Sequence, residues 1–370
     1  MKKFIKPLGF LMAVAVLLCF FSGCSSIPAS FGTAEKSGTT HDLDTKLYIY
    51  TAYMMHMNLE YYASYYGASI SDLLKTPEGS SIDYVAQYND DIRDQALAMF
   101  VASQKFTDMG LSISNDDISA VNQNYDSMVT NMGEATIRKL RAKLKLSETA
   151  FKDFLTEIYK QELVFDKLFS KGGEKEITDE ALKKYLADEY FHVRHILIKY
   201  PTDDKKNTIS STKDQSDANI KLFNDAKAKA EGILAKAKAG EDFLTLAKDN
   251  TEDSVSESKE FTYSNGFLVE PYGYVFTKNQ MDTKFYDKAK EMAVGSIEMV
   301  ETSYGWHIMQ KFDVSAQAKV FELLKNDIFS TISNEKRTEL LKEWNAEYKV
   351  SYNDSVLKKY SIDKLSNILS

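Results

Sequence analysis

Two histidines three residues apart are the first candidates for chemistry in this chain. His192 and His195 lie in the segment FHVRHILIKY, and His307 lies far downstream in YGWHIM. Histidine pairs can bind a metal ion, transfer protons, or serve as hydrogen-bonded core residues. The residues around His195 alternate in the way that predicts a strand, with Val193 and Leu197 on the same face as His195.

Strand geometry argues against a metal site at this histidine pair. Residues three apart on a strand point to opposite faces, so His192 and His195 cannot converge on one ion. The chain has five histidines and two cysteines, Cys19 and Cys24, and no HExxH motif. We therefore expect no metal and no cofactor. For His195 and His307 the residues leave two interpretations open, namely hydrogen-bonded core histidines, the simpler one, or neighbours in a shared site.

Length and composition limit the architecture and the partners. A chain of 370 residues is too long for one core, so we expect more than one domain. The formal net charge of -8 excludes the basic footprint of a nucleic-acid-binding protein. Only 5 prolines and 16 glycines occur, so few positions interrupt helices and much of the chain should be helical.

The N-terminal segment is typical of an export signal. Three lysines precede an apolar run from Leu8 to Phe21, which is shorter than the roughly 20 apolar residues that cross a bilayer. The stretch FSGC resembles the lipobox of bacterial lipoproteins, with Phe21 where leucine is usual. This resemblance implies a signal peptide at 1–23, lipidation of Cys24, and a flexible tether at 24–43. Removal of the signal would leave no free thiol.

Helical spacing dominates from residue 44 to residue 190. Ser114, Ser147 and Thr178 each precede an acidic first turn, which predicts three helix starts. The apolar stripe of residues 150–169 is broad enough to require a partner helix. We interpret 44–190 as an N-terminal helical domain.

The periodicity changes after Phe191. A strand there should be followed by a helix from about Asp217 to Ala239, an irregular stretch up to Phe276, and two strands joined at residues 303–305. Helical spacing returns after residue 313. The sequence therefore predicts a compact mixed domain at 191–313 between two helical parts.

Several motifs in this mixed domain occur in a familiar order. They are HVRHILIKY, an Ala/Lys helix, AGEDFLTLAKDNTED, FTKNQMDTKFYDKA and VGSIEMVETSYGWHIMQKF. Together they resemble the parvulin-type peptidyl-prolyl isomerases, and with the flanking segments the chain is similar to PrsA-type foldase lipoproteins and their relative SurA. The resemblance implies an α+β fold. In it, the N-terminal domain and the segment 314–370 form one helical chaperone domain, and a parvulin-like domain with a small antiparallel sheet packed with helices is inserted.

The resemblance also implies a site. It places His195 and His307 as paired histidines behind a proline pocket, Asp253 at the polar position between them, and Met281, Phe285 and Phe276 at the substrate. Isomerisation needs no covalent step, because a twisted amide is less polar than a planar one and an apolar cradle can bind it preferentially. The polar set would then shape the pocket and adjust its electrostatics rather than act as general acid and base.

The sequence departs from the family near this pocket. Members carry a glycine-rich stretch where this chain has SNGFLVEPYGYVF, residues 264–276, and Asn279 replaces a glycine. No arginine occurs in the polar loop from Pro201 to Asp217, which argues against a preference for phosphorylated Ser/Thr-Pro segments.

Two functional hypotheses follow. The first is a lipid-anchored foldase on the extracytoplasmic face of the cell membrane, which isomerises X-Pro bonds in unfolded or partly folded exported proteins. The alternative is a holdase whose parvulin domain has little or no activity, because the pocket segment is altered. The Tyr- and Met-rich segment Leu47 to Tyr66 suits unfolded clients or the domain interior. A homodimer stays open, and a solute-binding lipoprotein is disfavoured because repeated βαβ units are lacking.

Overall fold

A computed structural model describes residues 27–76, 78–213, 215–254, 260–264 and 266–365. The chain divides into two compact units. The first contains residues up to Glu176 together with those from Ser333 onward, and the second is the continuous stretch Ile177–Ile332. The second unit therefore extends on both sides of the mixed domain predicted at 191–313.

The first unit combines helices with a small sheet. Its helices are α1 (Thr45–Tyr66), α2 (Ile70–Leu73), α3 (Tyr84–Asp108), α4 (Asn115–Met132), α5 (Glu134–Leu144), α6 (Glu148–Phe169), the later part of α11 (Ala318–Asn345), α12 (Asp354–Lys359) and a 3₁₀ turn at Ile362–Lys364. Its strands β1 (Ser30–Lys36), β2 (Thr39–Asp44) and β9 (Lys349–Tyr352) form an antiparallel sheet in the order β2-β1-β9. The N- and C-terminal segments thus share one sheet.

The tether predicted at 24–43 was wrong from residue 30 onward, since β1 and β2 occupy this region. Phe31, Ala34 and Leu43 are fully buried. The two strands are joined by Ser37 and Gly38, which both have positive φ, as a tight hairpin turn requires. The Ser-Gly pair between two alternating segments was the signal for this hairpin.

The predicted helix starts are confirmed. Ser114, Ser147 and Thr178 each accept a hydrogen bond from a backbone N–H in the first helical turn. The apolar stripe of α6 packs against α3 and α4, and Phe165 stacks on Trp344 of α11 with ring centroids 5.5 Å apart. The stripe therefore has the partner helices that its breadth required.

The second unit is built on one antiparallel sheet of six strands. Its elements are α7 (Asp179–Glu189), β3 (Phe191–Lys199), α8 (Asp217–Lys238), α9 (Phe243–Asn250), β4 (Thr262–Ser264), β5 (Phe267–Glu270), β6 (Gly273–Phe276), α10 (Thr283–Glu291), β7 (Ile297–Glu301), β8 (Gly305–Phe312) and the first part of α11. The strand order is β4-β5-β6-β3-β8-β7. The predicted α+β fold with an antiparallel sheet is confirmed.

The central strand β3 is buried on both faces. Ile196 and Ile198 pack with α8 and α9 in one apolar cluster. Val193 packs with α10 in a second cluster, and His195 lies on that face against Phe285 of α10. The alternation predicted from the sequence therefore places successive side chains of β3 on opposite faces of the sheet.

The stretch predicted to be irregular up to Phe276 contains helix α9 and strands β4 to β6. Asp242 caps α9, and β5 and β6 pair as a hairpin through Pro271 and Tyr272. Tyr272 has a φ of 65°, a conformation in which a tyrosine is uncommon, so the sequence carried no usual turn signal here. Among the helices of the described residues, none combines the length and apolar character needed to cross a bilayer.

Candidate active site

Adjacent strands bring His195 and His307 together. In the β3–β8 pair Leu197 lies opposite His307 and Met309 lies opposite His195, so the two histidines are diagonal neighbours. Their rings stack at 16° with centroids 5.2 Å apart. The two Nδ1 atoms are 3.0 Å apart and share a hydrogen bond.

Asp253 completes a chain of polar groups. It follows α9, and its Oδ2 lies 3.2 Å from Nε2 of His195. At the other end, Nε2 of His307 lies 2.9 Å from the hydroxyl of Thr302. The order of contacts is therefore Asp253, His195, His307 and Thr302. All three residues predicted for the polar set are brought together.

The carboxylate determines which nitrogens carry protons. An ionised Asp253 can only accept, so His195 must present Nε2–H to it. In the neutral state His195 then accepts at Nδ1 from Nδ1–H of His307, and His307 accepts at Nε2 from the hydroxyl of Thr302. The hydrogen bonds donated by Thr302, His307 and His195 therefore all run in the direction of Asp253. Protonation of His195 at Nδ1 would reverse the two bonds on the Thr302 side.

The environment separates the pKa values of the chain. Burial of His307, followed by the neighbouring His195, lowers its pKa to about 3, so His307 is neutral at physiological pH. Burial alone would raise the pKa of Asp253, but the hydrogen bond from His195 and the interaction of their charges outweigh it and lower the pKa to about 2. The hydroxyl of Tyr274 donates to Oδ2 of Asp253 at 2.9 Å.

An apolar cradle adjoins the two histidines. Phe285 packs edge-on against His195 at 5.4 Å and against His307 at 5.1 Å. Phe276 contacts Phe285 at 5.6 Å. Phe276 and Phe285 are buried, at 0% and 3% exposure, whereas Met281 is half-buried at the edge of the same cluster. Met281 is therefore the most accessible of the three predicted substrate residues.

A cavity of about 480 Å³ opens on the other side of the polar chain. Its lining includes His195, Asp253, Tyr274 and residues of β4 to β6, but none of the three predicted substrate residues. The segment in which the chain departs from the family therefore forms a wall at the Asp253 side.

His192 points to a different set of partners. Its Nε2 lies 2.6 Å from Oε1 of Glu270, its Nδ1 lies 2.5 Å from the side-chain nitrogen of Gln317, and its ring stacks on Phe312 at 4.8 Å. Arg194 binds both oxygens of Glu270, at 2.7 and 2.8 Å. His192 and His195 thus lie in separate networks, as residues three apart on a strand should. Among the described residues no group of three or more His, Cys, Asp and Glu side chains could hold a metal ion.

The sequence analysis missed Tyr274 and Thr302. Tyr274 was missed because its segment was not predicted to be a strand, so its side chain could not be assigned to a face of the sheet. Thr302 sits at the end of β7, five residues before His307, where the turn rather than the alternation decides its direction. Gly273 was also missed. A Cβ at this position would lie 2.9 Å from the carbonyl oxygen of Val193 and from Oε1 of Glu270, so only glycine lets β6 approach β3 here.

Residues 180–315 match the family model described as a PPIC-type PPIASE domain. The foldase protein PrsA of Caldanaerobacter subterraneus subsp. tengcongensis is 28% identical over 203 residues, which cover 52% of this chain and 54% of that protein. The chaperone SurA of Hydrogenovibrio crunogenus is 23% identical over 229 residues, which cover 59% of this chain and 44% of that protein. The chain thus spans about half the length of these two relatives.

Among solved structures, the peptidylprolyl isomerase PrsA of Bacillus cereus matches with a TM-score of 0.35 and 20% identity, covering 78% of this chain and 96% of that chain. Cys24, the predicted lipidation site, lies outside the described residues.

Proposed function

The chain belongs to the PrsA-type parvulin foldases and carries a PPIC-type peptidyl-prolyl isomerase domain at residues 180–315, and we propose that this domain isomerises X-Pro bonds in exported proteins. The reaction requires rotation about a peptide bond whose barrier is roughly 18–20 kcal/mol. No bond to the enzyme needs to form. Catalysis therefore depends on binding the twisted amide more tightly than either planar form.

The cradle and the polar chain supply complementary parts of this binding. A proline ring placed against Met281 would rest above Phe285, where apolar contact favours the less polar twisted amide. Behind it, burial keeps His307 neutral, so its ring carries no charge behind the cradle. The polar groups act by shaping the pocket, because each is already engaged with a protein partner.

The observation that carries this proposal is the edge-on contact of one phenylalanine with both histidines. Phe285 touches His195 and His307 at similar distances, so the polar chain and the cradle share a wall. Met281 is half-buried at the edge of the same cluster, so it is the side chain through which a ligand would reach this wall.

A protease-coupled assay with several X-Pro peptides tests the proposal on the full chain. We expect Met281→Ala to lower kcat/KM at least tenfold, because the rim of the cradle is lost. The matched control is Met299→Ala, a half-buried methionine of β7 outside the cradle, which should keep its activity. Equal activity in wild type and Met281→Ala would overturn the assignment of the cradle.

The wall formed by β4 to β6 favours a second candidate, a holdase with low isomerase activity. Phe276 and Phe285 are almost inaccessible, and the cavity lies at the Asp253 side instead. A holdase predicts that the wild-type chain accelerates no X-Pro peptide yet suppresses aggregation of an unfolded protein. Under this alternative Met281→Ala would leave that protection unchanged.

We further propose that the protein acts outside the cytoplasm while attached to a membrane by a lipid at Cys24, with unfolded exported proteins as clients. The FSGC motif after an export-type signal supports this. Incorporation of a labelled fatty acid in cells should depend on Cys24 and disappear in Cys24→Ala. Cys19→Ala is the control and should keep the label.

A further inference from the structure

Strand β7 lies at one edge of the six-stranded sheet, so one side of its backbone has no partner strand among the described residues. The N–H of Thr302 donates to the carbonyl of Gly305 at 2.9 Å, which makes these two residues a hydrogen-bonded pair. Such pairs alternate along antiparallel strands. The alternation places the peptide groups of Ile297, Met299 and Glu301 at the open edge.

A shallow crevice lined by both apolar and polar side chains runs along this edge. Ile297 and Met299 pack beside α8 in the same cluster as Leu234 and Ala237. Between β7 and the end of α8 lies a crevice of about 660 Å³, whose lining includes these four residues and Lys238. Strand addition binds extended peptides at a free sheet edge, with pockets for alternate side chains, and Ile297 and Met299 provide apolar contacts beside this edge.

Few of the features that usually block such pairing occur at this edge, where the exposed charge is that of Glu301 at the end of β7. It contains no proline and no lysine, and the side chain of Glu298 turns to the opposite face, where its Oε2 lies 3.2 Å from Nζ of Lys288 on α10. Exposed apolar side chains flank the strand at both ends, Val294 at 60% and Tyr304 at 62%. The opposite edge strand, β4, is only three residues long and exposed.

Two charged side chains line the crevice, namely Glu298, which pairs with Lys288, and Lys238. Lys238 is exposed near the C-terminal end of α8 and makes no ion pair with the described residues. Lys236 is exposed on the same helical turn but does not line the crevice. A carboxylate of a bound peptide would therefore be attracted to the first lysine more than to the second.

We propose that the open edge of β7 binds an extended, proline-free segment of an unfolded protein by strand addition. Apolar side chains at alternate positions of the segment enter the crevice over Ile297 and Met299, and an acidic residue reaches Lys238. Proline is excluded at positions that face β7, because it has no N–H to donate. That the segment belongs to a client rests on the proposed function, which assigns X-Pro sequences to the other site.

The test uses the full chain and a short blocked peptide that alternates leucine and threonine and ends in glutamate. Two forms of the peptide carry N-methyl groups on alternate residues, one form on each parity. Strand addition requires the N–H groups of one parity only. We expect one methylated form to lose at least tenfold in affinity and the other to bind as tightly as the parent peptide. This comparison uses the unmodified protein.

Variants assign the binding to β7. Met299→Pro removes a free edge N–H at a position where an edge strand tolerates proline, and should weaken the parent peptide about tenfold, while Met299→Leu should not. Lys238→Glu should weaken it, and Lys236→Glu should have less effect. Backbone amide shifts on binding should centre on residues 297–301.

The outcomes distinguish this site from the isomerase. Peptide binding lost in Met299→Pro with X-Pro turnover intact supports the proposal. Equal losses with both methylated peptides, or shifts confined to the surroundings of Met281, would overturn it while leaving the isomerase standing. Concentration-dependent dimerisation that Met299→Pro abolishes would replace the client segment by a second copy of the chain, and would also overturn it.

Discussion

Two buried histidine networks lie on the same strand, three residues apart, and differ in the kind of partner they hold. Both ring nitrogens of His192 have hydrogen-bond partners, and Glu270 also accepts from Nε and Nη2 of Arg194. At His195 the neighbours are a neutral histidine and a carboxylate that is 27% exposed. The first network includes a bidentate ion pair with Arg194, and the second adjoins the apolar cradle through Phe285.

The difference offers a way to choose a candidate functional histidine without using relatives. Burial does not separate the two, since His192 is 1% and His195 is 4% exposed. What separates them is the far end of each network. Glu270 ends in a bidentate ion pair, where burial alone would raise its pKa but the hydrogen bonds from His192 and Arg194 outweigh this and lower it. Asp253 instead contacts His195 and accepts from the hydroxyl of Tyr274, and both carboxylates line the same cavity.

Removing the charge of Glu270 should produce the largest change in stability. In Glu270→Gln, the partly buried Arg194 loses its ion pair, and we expect about 2–3 kcal/mol lower free energy of unfolding. Trp306 is buried in the second unit, so its fluorescence in a Trp344→Phe background follows that unit during urea unfolding. Glu298→Gln, which loses an exposed pair with Lys288, should cost less than about 1 kcal/mol. Equal costs would remove the distinction between a closed network and a surface pair.

Replacing His307 should change the pH dependence of stability. Its folded pKa of about 3 lies below the ordinary 6.5, so between these values the unfolded state binds the extra proton. Stability of the wild type therefore falls as pH drops from about 6.5 towards about 3. His307→Gln keeps hydrogen-bonding groups but does not titrate, so we expect a loss of about 2 kcal/mol at neutral pH and a flatter profile. Parallel profiles would show that His307 is not held neutral.

Asp253→Asn should lower the free energy of unfolding by less than the two preceding substitutions, but it should lower kcat/KM. The folded pKa of about 2 lies below the ordinary 3.8, so the ionised carboxylate stabilises the fold above pH 3.8 and loses this effect as pH falls towards 2. We expect about 1–2 kcal/mol at pH 7, allowing for partial exposure, and a difference from wild type that shrinks at low pH. Since Asn no longer fixes Nε2–H of His195, kcat/KM should fall about tenfold. An unchanged kcat/KM would show that the contact of Asp253 with His195 has only a structural role, like the network of His192.

Asn279→Gly should have the smallest effect. Asn279 has a φ of 68°, so it already adopts the left-handed conformation that a glycine would take at this position. The substitution should stabilise the second unit by less than about 1 kcal/mol and leave kcat/KM unchanged. A large gain in kcat/KM would instead identify this departure from the family as the cause of a weakened site.

Much of the site could be predicted because its signals are local. The alternation around His195 assigned faces correctly, and the capping residues Ser114, Ser147 and Thr178 located helix starts. Asp253, His195 and His307 were grouped through the family resemblance, and the structure brings them into contact. That they and the three apolar residues serve catalysis stays a prediction.

The parts that could not be predicted depend on distant partners. The segment of β1 resembles a tether because it is short and polar, and it gains its burial from distant partners such as β9 and Tyr48 of α1. The hairpin of β5 and β6 turns through Tyr272, a residue with no preference for positive φ. The hydroxyls of Tyr274 and Thr302 could not be assigned to the polar network for a similar reason, since the direction of Tyr274 follows from strand pairing and that of Thr302 from the turn after β7.

The pairing of β1 with β9 also sets the order in which the chain can fold. Gly32 lies opposite Tyr352, so the outer side of the first strand finds its partner only after nearly the whole chain has been made. The unit Ile177–Ile332 is continuous and can complete its sheet earlier. During synthesis or refolding, one edge of β1 therefore stays open until β9 has been made, and the long sequence separation of the two strands favours a slow closure of this sheet.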